Sequence, residues 1–201
     1  DDDGDVSYQK MLDLVKKASD YLEQNAKIDT TYAKSEITQA TQAALKSEIS
    51  ALRGCEVSIQ TIDTLSAEVL SKLDNLDAVI CGGPLTPEHV IRTKPRAVIV
   101  KEGAETQSVR AYAGWYGSYF EDHNDGTKII LDKAPRWGVV KGKGVLVAAK
   151  DDKEAKILSD IISHTVNAML RAEALEGWQS LCLKDIFAIE YWELEQAKLR
   201  K

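Results

Sequence analysis

The spacing of apolar residues changes rhythm once along the chain, and the change divides it. In the first part they recur every three or four positions. Tyr8, Leu12, Val15 and Leu22, with Ser19 in register, predict one helix. A polar break over about 27–32 follows. Ile37, Ala40, Ala44, Ile49 and Leu52 then predict a second helix over about 33–53, with Gly54 as its stop. Beyond Gly54 short apolar runs take turns with helical patterns. Residues 56–60 read as a strand, 66–73 as a helix with Leu65, Val69 and Leu73 inward, and 77–81 and 96–100 as further strands. Strands alternating with helices imply parallel pairing through crossovers.

The C-terminal half continues the alternation. Val109, Tyr112, Tyr116 and Phe120, flanked by Trp115 and Tyr119, predict a helix over 103–122 whose aromatic face packs against a core or interface. The runs 136–140 and 145–149 enclose Lys141-Gly142-Lys143-Gly144, a hairpin signal because glycine tolerates positive φ. Leu158, Ile161, Thr165, Val166, Met169 and Ala172 predict a long helix over 151–175, capped by Asp151 and ended by Gly177. A last helix starts at Asp185 and carries Ile186, Phe187, Ile189, Tyr191, Trp192 and Leu194. The expected class is therefore α/β, a Rossmann-like parallel or mixed sheet flanked by helices, over 54–201. An N-terminal helical segment occupies 1–53.

Composition narrows the function classes. With 201 residues and 44% hydrophobic content the chain can bury a sizeable core, and a net charge of -6 argues against general nucleic-acid binding, which relies on clustered Lys and Arg. Cys55, Cys81 and Cys182 form no C-x-x-C pair and leave an odd count, which favours a reducing, cytoplasmic compartment over a disulfide framework. No apolar run approaches about 18 residues, so no membrane span is expected. Asp1, Asp2, Asp3 and Asp5 lack the glycine and closing Glu of a calcium loop and read as a solvated helix start.

The stretch 81–100, C-G-G-P-L-T-P-E-H-V-I-R-T-K-P-R-A-V-I-V, carries the candidate chemistry. An apolar run stops at Gly82-Gly83-Pro84, and Thr86-Pro87 then opens a short helical segment with Thr86 as its cap and Pro87 at its first position. Backbone donors at a helix start beside a glycine turn can hold an anion. The candidate ligand-binding residues are Gly82, Gly83, Thr86, His89, Arg92, Thr93 and Lys94. A neighbouring phosphate or carboxylate would keep His89 charged. The same residues also fit a plain turn with Arg92, Lys94 and Arg96 as a solvated rim.

Other motifs are weaker. Gly138, Gly142 and Gly144 spell G-x-x-x-G-x-G, but they fall within two strand-like runs rather than between a strand and a helix, where dinucleotide binding needs them. His89, His123 and His164 stand at no metal-ligand spacing. His164 reads as a partly buried packing residue and His123 as part of a surface turn. Neither a catalytic residue nor a metal site is assigned.

Residues 85–95, L-T-P-E-H-V-I-R-T-K-P, resemble the T-P-[DE]-H-[VL]-I-R-T-K block of bifunctional proteins similar to rhamnulose-phosphate aldolase/alcohol dehydrogenase, in which a class II aldolase domain precedes a short-chain dehydrogenase. Residues 134–146 are similar to that family's P-R-x-x-x-x-x-G-x-G-[LV] strand pair. Residues 187–199, F-A-I-E-Y-W-E-L-E-Q-A-K-L, resemble its F-D-x-E-Y-W-x-L-E-Q-A-K-L helix, with Ala188 in place of Asp. The resemblance covers essentially the whole chain. It implies the centre of a longer carbohydrate-metabolising protein, with 1–53 as the tail of an aldolase-like domain. It also implies no cofactor in this chain, with zinc and NAD held by the flanking aldolase and dehydrogenase domains. The partners implied are those domains and a sugar phosphate or other anion, and homo-oligomer formation is left open. A purely structural linker and a self-sufficient NAD-dependent oxidoreductase are the alternatives.

Overall fold

The computed structural model describes residues 3–28 and 35–200. Residues 29–34, on which the end of the polar break and the start of the second predicted helix fall, lie outside the described residues, as do Asp1 and Asp2. Asp3 caps helix α1 (Gly4–Asn25), its carboxylate accepting the N–H of Asp5 at 2.9 Å and of Val6 at 3.3 Å, which gives part of the acidic cluster a local structural use. None of α1's residues is buried. Its apolar side chains face outward, with Tyr8 61% and Leu14 68% exposed.

Among the described residues four strands form one mixed sheet in the order β1 (Ser58–Ile62), β4 (Gly144–Ala149), β3 (Trp137–Val140), β2 (Val98–Val100). The hairpin expected at Lys141–Gly144 is present as the antiparallel β3–β4 pair, with Gly142 at φ 76° and Gly144 at φ 139°. β1 also pairs antiparallel, Ser58 facing Ala149. Only β2 and β3 run parallel, joined by a crossover through α6 (Glu105–His123). Pairing is thus mixed rather than mainly parallel, because the hairpin places β4 in the middle of the sheet.

Helices cover both faces, so β4 is buried along its whole length. Its side chains alternate between two cores, as a pleated strand requires. Val145, Val147 and Ala149 join Leu70 of α3 (Leu65–Ser71), Val79 and Ile80 of α4 (Leu76–Cys81), and Leu158, Ile162 and Met169 of α7 (Asp152–Glu173). Leu146 and Ala148 join Leu45 and Ile49 of α2 (Gln39–Arg53), Val109, Tyr112 and Tyr116 of α6, and Phe187 of α8 (Leu183–Glu190). The long predicted helix is α7, capped by the Asp151 carboxylate at the Glu154 N–H (2.8 Å).

Residues 77–81, expected as a strand, are helix α4. Leu76, Val79 and Ile80 are buried while Asp77, Ala78 and Cys81 are exposed, which is spacing i, i+3, i+4 rather than alternation. The β-branched pair Val79-Ile80 favours strand in isolation, but packing of the apolar side against α3 and α7 overrides that propensity. Two histidines also differ from expectation. His123 is the last residue of α6 and half-buried, its Nδ1 2.8 Å from the Tyr119 carbonyl and its ring stacked on Phe187. His164 is exposed on the side of α7 facing the end of α1.

Candidate functional site

From the end of α4 the chain turns through Gly82-Gly83-Pro84. A 3-10 turn (Pro87–His89) runs directly into the single turn α5 (Val90–Thr93). Pro87 occupies the first helical position, and Thr86 is extended at the cap position with no hydroxyl capping bond. The glycine turn is roofed by residues 178–180. A Cβ on Gly82 would stand 2.2 Å from Trp178 Cδ1, and one on Gly83 would stand 2.6 Å from Ser180 Oγ. These glycines therefore admit a close approach of the chain itself. Gly82→Ala must displace the Trp178 ring, and it is expected to cost about 1–3 kcal/mol. Thermal unfolding checks this, and an unchanged Tm would show that Trp178 moves aside freely.

Lys94 turns inward. It is only 3% exposed and sits at φ 64°, ψ 172°, a region favoured by glycine and costly for any side chain by about 1–3 kcal/mol. Its ammonium donates to the Tyr116 hydroxyl at 2.9 Å, lies 4.2 Å over that ring's centroid, and is 3.5 Å from Glu190 Oε1. Tyr116 in turn donates to Glu190 at 2.8 Å and meets the Tyr191 hydroxyl at 2.9 Å, which accepts the Leu131 N–H. Burial is the main influence on both charged groups. It pulls Lys94 down to about 8 against the opposing attraction of Glu190, and it pushes the Glu190 carboxyl up against the opposing pull of Lys94 and Tyr116. Burial likewise pushes the Tyr116 phenol up. Among the described residues Glu190 Oε2 is buried without a hydrogen-bond partner of ordinary geometry.

The remaining predicted residues are dispersed. Thr93 is buried, its hydroxyl shared between the carbonyls of His89 and Lys94. His89 is held below its ordinary pKa by burial, with Glu88 opposing and His164 adding to the depression, and its Nδ1 is buried without a partner among the described residues. Arg96 lies 3.6 Å over the Trp115 ring and donates to Cys81 Sγ. Arg92 lines a cavity of about 290 Å³ beside the start of α7, whose walls include neither Gly82 nor Gly83. The stretch thus does not converge on one open cradle. Sequence reasoning passed over Tyr116, Glu190 and Tyr191. The available signal was Glu190 on the same helical side as Ile186 and Phe187, since a carboxylate within an apolar stripe requires a partner. Among the described residues no three His, Cys, Asp or Glu side chains gather as a metal cage. No described helix is long and apolar enough to cross a membrane.

Residues 36–199 match the family model described as aldolase class II, second domain. The chain belongs to that family. α1 lies ahead of the matched region, which holds the whole sheet and the helices on its faces. The second domain is 24% identical over 152 residues to the "Uncharacterized oxidoreductase YuxG" of Bacillus subtilis (strain 168), an alignment covering 70% of this chain and 21% of that protein. It also resembles in fold the crystal structure of YgbL from Escherichia coli, a candidate aldolase/epimerase/decarboxylase. The TM-score is 0.50 and the identity 12%, over 75% of this chain and 65% of that one. The second domain thus spans about a fifth of YuxG and less than two thirds of YgbL.

Proposed function

We propose that this chain is the central, non-catalytic or substrate-assisting domain of a bifunctional sugar-phosphate aldolase/short-chain dehydrogenase of carbohydrate metabolism. In that arrangement an aldolase-like domain precedes it and supplies zinc chemistry, and a dehydrogenase domain follows it and holds NAD. The observation that carries the reading is the alignment with YuxG, in which most of this second domain matches a fifth of a far longer oxidoreductase-named protein. The placement of the charged residues agrees with a supporting role. Lys94 and Glu190 are consumed in holding α5 to α8 within the core. The G-x-x-x-G-x-G glycines lie along the β3–β4 hairpin, with a strand rather than a helix start after Gly144.

The test compares this chain with its full-length parent in two assays, aldol cleavage of ketose 1-phosphates and NAD-linked alcohol oxidation. Both activities are expected in the parent and neither in the chain alone. Turnover by the isolated chain at the parent's rate, or tight NAD binding to it, would overturn the proposal in favour of a self-sufficient enzyme. A parent lacking either activity would remove the bifunctional reading.

A further inference from the structure

The cavity that Arg92 lines is walled by five segments distant in sequence. They are the end of α2 (Arg53), α5 (Ile91, Arg92), the residue before β3 (Arg136), the turn into α7 with its first turns (Lys150 to Leu158), and the 3-10 turn Lys198–Arg200. Six of its lining side chains are cationic and two, Asp151 and Glu154, are acidic. Asp132 pairs with Arg136 and Glu195 with Lys198, so six positive charges face four negative ones, a local balance of +2 in a chain of net charge -6.

The cations fall into two kinds. Arg53 and Arg136 are fixed and deep, their side chains 8% and 11% exposed. Arg53 bonds Glu154 at 2.6 Å and the Ala148 carbonyl at 3.2 Å. Arg136 forms a two-pronged pair with Asp132 at 2.8 and 2.6 Å and also donates to the Ala134 carbonyl. These bonds leave guanidinium N–H donors over, since each arginine has five. Arg92, Lys150 and Lys153 make no ion pair among the described residues. A solvated rim would spread such charges over a convex face. Here they come from α5, the turn before α7 and the first turn of α7, and line a concavity with Ile91, Ile157 and Leu199 in its wall.

We propose that this cavity binds a phosphate group as its dianion, with Arg92, Lys150 and Lys153 closing on it and the fixed Arg53 and Arg136 beneath. The +2 balance matches a phosphate monoester above its second pKa of about 6. The volume sits at the small end of the roughly 300–1,000 Å³ typical of ligand sites, enough for the phosphate and a short organic body. Of the residues singled out from the sequence for anion contact, only Arg92 takes part. The inference stands whether or not the parent protein carries aldolase and dehydrogenase activities.

Titration of this chain by phosphorus NMR and calorimetry, with inorganic phosphate, glycerol phosphate and malonate, tests it. Saturable binding of both phosphates is expected, with glycerol phosphate the tighter if the apolar wall takes the organic body. Binding should weaken as pH falls from 7.5 to 5.5, because the ligand loses its second charge while lysines and arginines keep theirs. Arg92→Ala and Lys153→Ala should each weaken phosphate about tenfold, the loss of one charge-assisted hydrogen bond. Lys153 is exposed, so its replacement should leave the Tm unchanged, which separates a binding loss from a folding loss. Lys141→Ala, outside the cavity, should change nothing. No saturable binding, or unaltered affinity in the Arg92 and Lys153 variants, would overturn the site. Malonate binding as tightly as phosphate would overturn the phosphate assignment.

Discussion

Glu190→Leu is expected to destabilise the protein by about 3–5 kcal/mol, because it leaves the Lys94 ammonium buried beside the Tyr116 hydroxyl and ring without its paired carboxylate. For a chain of this length that corresponds to a fall in Tm of about 10 °C. The double variant Lys94→Met/Glu190→Leu should recover most of the loss, since apolar side chains of similar size can replace a buried ion pair at little cost. Equal stability of Glu190→Leu and the native protein would show that the pair holds nothing. The pair also leaves a signature in pH. Lys94 has a folded-state pKa of about 8, below its ordinary 10.5. Between those values the unfolded chain keeps a proton that the folded chain has released, so Lys94's contribution to stability rises with pH across this window. The stability difference between native protein and Lys94→Met should carry that slope, and a flat difference from pH 8 to 10 would contradict it.

Gly138→Val carries the second large effect, and its sign is the informative part. Strand propensity alone favours valine over glycine in a strand by up to about 1 kcal/mol. The position is the first residue of the parallel register with β2, opposite Val98. A Cβ there would stand 2.8 Å from Val98 Cγ1, 3.2 Å from the Val98 carbonyl oxygen, and 3.7 Å from Leu146 Cδ1. Three added carbons must therefore push β2 away from β3 or empty Leu146 from its place, and the expected cost is about 3 kcal/mol. Denaturant unfolding decides between the two, and a stabilised variant would mean that β2 yields easily.

How much of this was legible beforehand follows from the range of each interaction. The β3–β4 hairpin, the caps at Asp151 and Gly54, and the aromatic face of α6 depend on residues within a few positions of one another, and the pattern carries them. Helix α4 reads as a strand in the sequence because five residues with two β-branched members fit either period, and the arbiter is packing against α3 and α7. Lys94 stands in a run of alternating basic residues that reads as a solvated edge. It turns inward because of an unusual backbone angle and partners 22 and 96 residues away, Tyr116 and Glu190, which no local pattern encodes. The basic cavity draws on positions from 53 to 199, so only Arg92 could be singled out, and for a different site.

The sheet described above also acts as a wall between two interiors. Val145, Val147 and Ala149 belong to the core of the α7 stripe, and Leu146 and Ala148 to the core of the α6 tyrosines. A volume change on one side can be absorbed by the helices of that side alone. Energetic effects across the wall should combine by simple addition, whereas those within one side should not. The sequence is therefore free to drift largely as two packing problems, joined by the strands of the sheet and by the Arg53–Glu154 pair that ties α2 to α7.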